Sequence, residues 1–269
     1  MDRANRSTWR SAKLIDVFTH REGFSDTGEE RALMWAAEHG GGDGAILDIG
    51  VGGGRTVPIL RSLSEDYVAV DYLPEMVEAT RLRFPEARVE SADARTLSQF
   101  DDASFALVVF SYNGIDGLSH EDRADVFSAV NRVLAPGGAF VYSTHNLDHP
   151  VAGRPPWDRS RLPGRITARS LAGWALRMPR RSLSYSRLRR LTASGENWAI
   201  LVGASYEYSV VGHYVTLEEA LRELSQAGFE PAAQVYGTAG DELRPGADTR
   251  GSEWIHVIAR KPAAEPSAT

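Results

Sequence analysis

The chain has 269 residues, of which 42% are hydrophobic and 25% are charged, a composition typical of one large globular domain. It contains no cysteine, which excludes disulfides, thiolate zinc sites, iron–sulfur clusters and cysteine nucleophiles. A formal net charge of −6 argues against general polyanion binding, and no apolar run approaches the roughly 20 residues that a membrane span needs. An N-terminus without an apolar core favours a reduced, cytoplasmic protein with no membrane partner.

Helical patterns come first along the chain. Two helices are predicted over residues 8–20 and 26–38, the second with a cap at Asp26 or Thr27. We expect residues 1–44 to form an N-terminal helical cap on the rest of the protein.

Short apolar strand patterns then alternate with helical patterns. Strands are predicted at 45–49, 67–71, 88–90, 105–111 and 139–144, and helices at 54–63, 74–84 and 121–134. This alternation with short connections predicts an α/β fold with a doubly wound, parallel sheet covered by helices on both faces. We assign residues 45–148 to this core.

The alternation breaks at residues 149–214. Eleven arginines and one acid lie between Arg154 and Arg190, together with several aromatic residues. Arginine suits carboxylate or phosphate partners, although a solvated helical face is an equally simple interpretation. Helices are expected near 166–177 and 184–193, and a strand at 206–215.

The core pattern resumes at residues 215–262. A capping box at Thr216 opens a helix that ends near Gly228, and strands follow at 231–236 and 253–260. Residues 263–269 are rich in alanine and proline and are expected to be a disordered tail.

The first strand runs directly into a glycine-rich turn, Ile46–Thr56 (ILDIGVGGGRT). Glycines let the backbone approach a ligand closely, and the following helix begins with unpaired N–H groups. Asp71 ends the next strand, which is where a ribose diol is held in doubly wound sheets. These features predict an adenosine-type ligand at the carboxyl edge of the sheet.

Two details distinguish between such ligands. A dinucleotide fingerprint needs glycine at the sixth place from Gly50, where Arg55 stands, and no G-K-[ST] motif is present. Asp48 before the turn would repel a pyrophosphate but could order an ammonium group. With Asp93 after the third strand, three acids follow or end successive strands, which suits a ligand with ammonium, ribose and adenine parts.

In this order and spacing, the motifs resemble the class I S-adenosylmethionine (SAM)-dependent methyltransferases. The motifs are DIGVGGG, VAVDY, ADA, FALVVFS, RVLAPGG and HVIARKP. The resemblance covers residues 45–144 and 216–262. It implies a Rossmann-like, seven-stranded, mostly parallel sheet whose last strand is antiparallel, with a lid inserted at 149–214. It also implies SAM as the cofactor, which leaves as S-adenosyl-L-homocysteine.

The resemblance further implies which residues bind the cofactor. Asp48 and the glycine turn are expected at the methionine end, and Asp71 at the ribose hydroxyls. Asp93 and Ala94 are expected at the adenine. The full expected set is Asp48, Gly50, Val51, Gly52, Gly54, Asp71, Tyr72, Asp93, Ala94 and Ser111.

Methyl transfer needs alignment and a dry site, and it needs a base only where the acceptor must lose a proton. The catalytic candidates are Tyr112 and Asn113 after the fourth strand and His145 after the fifth, with His145 as general base. His213 is a weaker candidate of the same kind. No metal is expected, because the HNLDH segment has no identifiable partners.

The leading hypothesis is methyl transfer to an oxygen or nitrogen of a small anionic or aromatic metabolite, plausibly in secondary metabolism. The [DN]PP[YF] motif of DNA amino-methyltransferases is absent. One alternative is an RNA or tRNA methyltransferase, suggested by the arginine-rich segment, although nucleic acid is not the expected partner. Another is a SAM-binding protein that does not methylate. The sequence leaves the oligomeric state open, a homodimer included.

Overall fold

The computed structural model describes residues 1–41, 44–158 and 167–264. The N-terminal region contains helices α1 (Asp2–Trp9), α2 (Ala12–Thr19) and α3 (Thr27–Ala36), with a π turn at Ala37–Gly41. The predicted helix at 8–20 is wrong in its bounds, because the extended backbone of Ser11 separates α1 from α2. The predicted cap is confirmed, since the Asp26 carboxylate accepts a hydrogen bond from the Glu29 amide at 3.0 Å.

The core elements follow the predicted alternation. They are β1 (Ile46–Ile49), α4 (Val57–Leu63), β2 (Tyr67–Asp71), α5 (Pro74–Arg83), β3 (Arg88–Ser91), β4 (Phe105–Phe110), α6 (His120–Val133) and β5 (Leu134–Asn146). Almost every residue of β1, β2 and β4 is buried, as expected for strands covered on both faces.

Seven strands form the central sheet. After the insertion come β6 (Ala193–Ser194), β7 (Trp198–Val202), β8 (Val211–Val215), α8 (Leu217–Gln226), β9 (Gln234–Gly237) and β10 (Trp254–Arg260). The order β3-β2-β1-β4-β5 is parallel throughout, and β10 lies antiparallel between β5 and β9. The predicted doubly wound, mostly parallel sheet with an antiparallel last strand is confirmed. The strand order reverses between β1 and β4, and ligand crevices occur at such points.

Three further strands extend this sheet from the insertion. β8 pairs in parallel with the end of β5, where His145 lies opposite Tyr214, and β7 and β6 follow antiparallel. Strands β6 and β7 were not predicted, and β8 begins at Val211 rather than at the predicted residue 206. The reason is the turn at Ser205–Tyr208, in which three consecutive residues adopt left-handed backbone angles that a strand cannot contain.

The two helices predicted around residues 166–193 are one helix, α7 (Ala168–Leu188), followed by a 3₁₀ turn at Arg189–Leu191. Pro179 lies inside α7 on its exposed side. Residue 166 and the tail residues 265–269 lie outside the described residues. Within the three described ranges, no helix is long and apolar enough to cross a bilayer.

The cap of α8 provides a direct test of local stability. The Thr216 hydroxyl oxygen accepts a hydrogen bond from the Glu219 amide at 3.2 Å. We expect Thr216→Ala to lower the free energy of unfolding by about 1 kcal/mol in urea denaturation. Ser11→Ala is the matched control, because Ser11 occupies the same cap position on α2 without a side-chain bond. Equal losses in both variants would contradict the cap assignment.

Candidate active site

The turn after β1 depends on glycine. Gly50 and Gly52 have φ values of 68° and 54°, which favour glycine. A Cβ on Gly50 would lie 2.8 Å from the Phe110 ring, whereas a Cβ on Gly52 would make only an ordinary contact, 3.9 Å from the Gly50 carbonyl oxygen. The turn thus presents bare backbone to a cavity at the carboxyl ends of the central strands.

Asp71, at the end of β2, holds this turn in place. Its carboxylate accepts hydrogen bonds from the Gly52 amide at 3.0 Å and the Leu73 amide at 2.9 Å. Burial raises the pKa of Asp71 to about 6, although these backbone hydrogen bonds act in the opposite direction. Asp71 also lines the cavity, so its carboxylate can meet a ligand there.

Asp48 lies behind the turn. Its carboxylate accepts hydrogen bonds from the Thr56 hydroxyl at 2.6 Å and the Tyr67 hydroxyl at 2.8 Å. Burial raises its pKa to about 6, against the effect of those two bonds. Neither Asp48 nor Gly54 lines the cavity, and a Cβ on Gly54 would meet the Phe84 ring at 2.6 Å. The geometry therefore does not support the direct cofactor contacts predicted for these two residues.

A cavity of about 600 Å³ lies at the carboxyl ends of the central strands, beneath α1, α2 and the turn at Ser205–Tyr208. The structure brings most of the predicted site residues together on its wall. These are Gly50, Val51, Gly52, Asp71, Tyr72, Asp93, Ala94, Ser111, Tyr112, Asn113 and His145.

The wall near β3 is polar. Arg95 donates hydrogen bonds to both carboxylate oxygens of Asp93, at 3.0 Å and 2.6 Å. These bonds hold the pKa of Asp93 below its usual value, so the carboxylate stays ionised. Asp93 is therefore a half-exposed acceptor that already has a cationic partner.

The segment after β4 places two tightly held side chains on the cavity. The Ser111 hydroxyl accepts a hydrogen bond from Arg55 at 3.0 Å, and Arg55 forms a buried two-point ion pair with Glu29 at 2.7 Å and 2.6 Å. The Tyr112 hydroxyl accepts a hydrogen bond from Arg21 of the N-terminal region. This loop is thereby tied to the N-terminal cap.

Asn113 carries an unpartnered polar atom. Its φ of 56° is left-handed, and its backbone N–H donates a hydrogen bond to the Ser143 hydroxyl at 2.8 Å. Its side-chain oxygen Oδ1 is buried and accepts no hydrogen bond within the described residues. A buried acceptor without a donor is costly, so it points to a bound group that donates there.

His145, at the end of β5, forms a dyad with Asp116. The His145 Nδ1 lies 2.6 Å from Asp116 Oδ2, and the His145 amide donates to the same oxygen at 2.7 Å. We assign the ring proton to Nδ1 from this contact, which leaves the Nε2 lone pair to accept a proton. Both residues line the cavity.

Asp116 is held by buried partners. Its Oδ1 accepts hydrogen bonds from the Thr144 hydroxyl at 2.6 Å and from Arg123 at 2.7 Å. Arg123 is completely buried and also binds both carboxylate oxygens of Glu223, at 2.9 Å and 2.7 Å. One buried cation therefore neutralises two carboxylates and fixes the dyad.

His213 lies away from the cavity. It is fully buried and stacks on His120 with ring centroids 5.4 Å apart. Burial lowers its pKa to about 2, with smaller contributions from Arg123 and His120, so the ring stays neutral. The weaker general-base hypothesis for His213 therefore has no geometric support.

The arginine-rich segment also lies away from the cavity. The arginines on the cavity wall are Arg6, Arg21, Arg55 and Arg95. None of the described arginine side chains between residues 154 and 190 lies on this wall. Of the insertion's aromatic residues before β8, Tyr206 lines the cavity. Of the two interpretations of this segment, the geometry favours a solvated helical face for the described arginines, because α7 lies outside the turn that covers the cavity.

Comparison with known proteins agrees with this architecture. Residues 46–138 match the family model of a methyltransferase domain. The chain carries a methyltransferase domain. The match and the Rossmann-like sheet agree with the predicted class, a class I SAM-dependent methyltransferase, and with SAM as the predicted cofactor. No curated protein sequence matches the chain.

Several solved structures share the fold of this methyltransferase. A SAM-dependent methyltransferase from Mesorhizobium loti is 22% identical, with a TM-score of 0.56 over 87% of this chain and 98% of that one. A glycopeptide N-methyltransferase complexed with SAM is 19% identical, with a TM-score of 0.54 over 90% and 98%. A 1,6-didemethyltoxoflavin-N1-methyltransferase from Burkholderia thailandensis is 14% identical, with a TM-score of 0.58 over 97% and 88%.

The cavity of this methyltransferase fits SAM on three observations. Gly52 leaves open the space that a Cβ would fill, Asp71 offers a buried carboxylate, and Asn113 offers an unpartnered acceptor. The ammonium and hydroxyl groups of the cofactor are hydrogen-bond donors that match these acceptors.

Several residues of this site were not predicted from the sequence. Asp116 was visible only as an acid in the glycine-rich segment after β4, and nothing local paired it with His145. Arg21 and Trp254 reach the cavity from the two ends of the chain. Their contribution depends on tertiary contacts that no local motif encodes.

One group of three possible metal ligands occurs within the described ranges. Ligand-type atoms of His120, Glu219 and Glu223 lie within 4.8 Å of one another. Glu219 already accepts a hydrogen bond from Arg222 at 2.9 Å, and Glu223 is paired with Arg123. These ion pairs explain the cluster without a metal.

Gly53 allows α2 to pack on the glycine turn. A Cβ there would lie 2.3 Å from the carbonyl carbon of Phe18, a backbone atom that cannot move aside alone. We expect Gly53→Ala to lower the free energy of unfolding by about 1–3 kcal/mol in urea denaturation. Gly251→Ala is the control, because nothing lies within 4 Å of its added Cβ. Wild-type stability in Gly53→Ala would show that α2 does not pack as described.

Proposed function

We propose that the protein transfers the methyl group of SAM to an oxygen or nitrogen of a small acceptor, with His145 as general base. The observation that carries this proposal is the position of the His145–Asp116 dyad. It opens into the same cavity as the glycine turn and Asp71. A proton acceptor therefore lies in the cavity that the cofactor would share.

In this proposal the cofactor lies along the carboxyl edge of the sheet. Asp71 accepts from the ribose hydroxyls, and the backbone of Gly50–Gly52 faces the methionine part. Asp93 and Ala94 border the adenine, while Ser111 and Tyr72 complete the wall. Asn113 Oδ1 supplies the acceptor for a donor of the bound molecules.

The chemistry follows from the orientation of His145. Bound SAM supplies an electrophilic methyl group on a positively charged sulfur. Nε2 of His145 would take the proton that the acceptor atom releases when it receives this methyl group. Asp116 fixes the ring through Nδ1 and stabilises the positive charge that His145 then carries. Tyr112 aligns the acceptor beside the base.

The cavity wall favours an acceptor with an aromatic part. The rings of Tyr214 and Trp254 lie 4.7 Å and 6.2 Å from the His145 ring, and Tyr112 packs against Trp254 at 5.3 Å. Arg21, whose guanidinium lies 4.6 Å from the centre of the Tyr112 ring, adds a positive charge for an anionic substituent. The small-molecule N-methyltransferases among the structural relatives support this class of acceptor, and a role in secondary metabolism would follow from it.

Formation of S-adenosylhomocysteine with a panel of phenols, aromatic carboxylates and aromatic amines tests this proposal. We expect product with at least one aromatic acceptor and none with aliphatic alcohols. No product with any of them would favour the SAM-binding alternative without methylation. Methylation of total RNA under the same conditions would favour the RNA alternative.

A further inference from the structure

Helix α7 has an exposed apolar stripe that no described part of the chain covers. Ala172, Leu176, Pro179 and Leu183 follow the spacing of one helix face, and all four are exposed. Leu176 is 82% exposed and Leu183 is 53% exposed. Two largely exposed leucines on one face are unusual in a surface helix and indicate a contact surface.

The same helix is strongly basic. Residues 168–188 contain five arginines and no acidic residue, and Arg189 and Arg190 follow directly. Arg181 faces inward and pairs with Glu207 at 2.9 Å, which fastens α7 to the turn above the cavity. Arg180 and Arg187 are exposed and lie along one edge of the apolar stripe. The exposed side of α7 therefore combines leucines with positive charge.

From these features we infer that α7 docks on an anionic membrane surface, with Leu176 and Leu183 inserted among the lipids and Arg180 and Arg187 at the headgroups. An amphipathic helix of this composition binds lipid surfaces through burial of its apolar side chains and through attraction between its positive charges and anionic headgroups. Docking of this kind needs no spanning segment, although it departs from the sequence-based expectation of no membrane partner.

Two other occupants fit the stripe less well. A second copy of the chain would bring two arginine-rich edges together, and like charges oppose that contact. A nucleic acid would match the arginines but would leave Leu176 and Leu183 without an apolar partner. An anionic lipid surface satisfies both the leucines and the arginines.

The inward side of α7, opposite the stripe, packs on the turn that covers the cavity. The Tyr185 ring of α7 packs on Tyr208 at 6.0 Å, and Tyr206 of the same turn lines the cavity. A docked helix would thus place the covered side of the cavity near the membrane. The inference does not depend on the acceptor or on His145, so it can fail while the proposed function holds.

Flotation of the full-length protein with lipid vesicles tests the inference. We expect binding to phosphatidylcholine vesicles that contain phosphatidylserine, and weaker binding as salt rises. Binding that is absent, or equal on vesicles of phosphatidylcholine alone, would overturn it. Arg180→Ala combined with Arg187→Ala should weaken binding by roughly thirtyfold, and an unchanged affinity would also overturn it.

A charge placed on the stripe tests the location. Leu176→Glu combined with Leu183→Glu should abolish vesicle binding, whereas Leu82→Glu should not. Leu82 is the matched control, because it is 79% exposed on α5 at a different surface. Both variants should bind SAM like the wild type, which shows that they fold. Vesicle binding that survives in the double variant would place the docking site elsewhere.

Two further measurements test the competing partners, a second copy of the chain and a nucleic acid. Sedimentation velocity should give the same oligomeric state for the wild type and for Leu176→Glu with Leu183→Glu. A wild-type dimer that dissociates in this variant would overturn the inference in favour of a second copy. RNA binding tighter than vesicle binding at the same salt concentration would overturn it in favour of nucleic acid.

Discussion

Replacing His145 with alanine is expected to lower the turnover number of methyl transfer by roughly 10²–10⁴-fold, the usual contribution of a positioned general base. The physical reason is the loss of Nε2, the atom that accepts the proton of the acceptor. Calorimetry should show SAM affinity close to that of the wild type, because His145 is not placed among the cofactor contacts. Steady-state formation of S-adenosylhomocysteine measures the effect.

Two further variants separate chemistry from structure. His145→Gln keeps a group that can donate a hydrogen bond to Asp116, yet its amide cannot accept the proton, so it should be about as slow as the alanine variant. His20→Ala should retain full turnover, because His20 is exposed and does not line the cavity. Full activity in His145→Gln would mean that the residue only positions other groups.

Replacing Asp71 with alanine is expected to weaken SAM binding by roughly 10²–10⁴-fold in calorimetry. A carboxylate that accepts hydrogen bonds from two ribose hydroxyls gains about 1.5–3 kcal/mol from each, and alanine loses both. Part of the loss comes from the turn, because Gly52 also donates to Asp71. Asp66→Asn, an exposed change at the opposite end of β2, should bind SAM normally. Unchanged binding by Asp71→Ala would refute the ribose assignment.

The same residue predicts a pH dependence. Because burial raises the pKa of Asp71 to about 6, its carboxylate form becomes dominant only above that pH. We expect SAM affinity to rise from about pH 5 to about pH 7 in the wild type and to be flat in Asp71→Asn. The contribution of Asp71 to the free energy of unfolding changes with pH in the direction opposite to SAM affinity. A carboxyl whose folded pKa exceeds its unfolded value stabilises the protein below the unfolded pKa, and this is lost as pH rises through about 6.

The core could be predicted from the sequence because its signals are local. Apolar strand runs, the glycine turn and Asp71 at a strand end all lie within a few residues of the structure that they specify. The insertion could not be predicted as well. The helices predicted near 166–177 and 184–193 are one continuous helix, and the short strands form only by long-range pairing, β7 with β8 and β6 with β7.

The candidate site also contains both residues that local sequence signals identify and residues that only folding brings together. His145 was identifiable because it follows an apolar strand, but its partner Asp116 lies 29 residues away in sequence and meets it only after folding. Asp48 shows the converse, since its position beside the turn indicated contact with the ligand. In the fold, its side chain points to Thr56 and Tyr67 instead. Which way a strand residue faces depends on the neighbouring elements.

The central claim is that one cavity holds the methyl donor against Asp71 and opens onto the His145–Asp116 dyad. A crystal structure with bound S-adenosylhomocysteine tests it most directly. The account predicts ribose hydroxyls within hydrogen-bond distance of Asp71, adenine beside Asp93, and the sulfur on the side of the cavity that His145 lines. Binding elsewhere, or a sulfur separated from His145 by the protein wall, would contradict it.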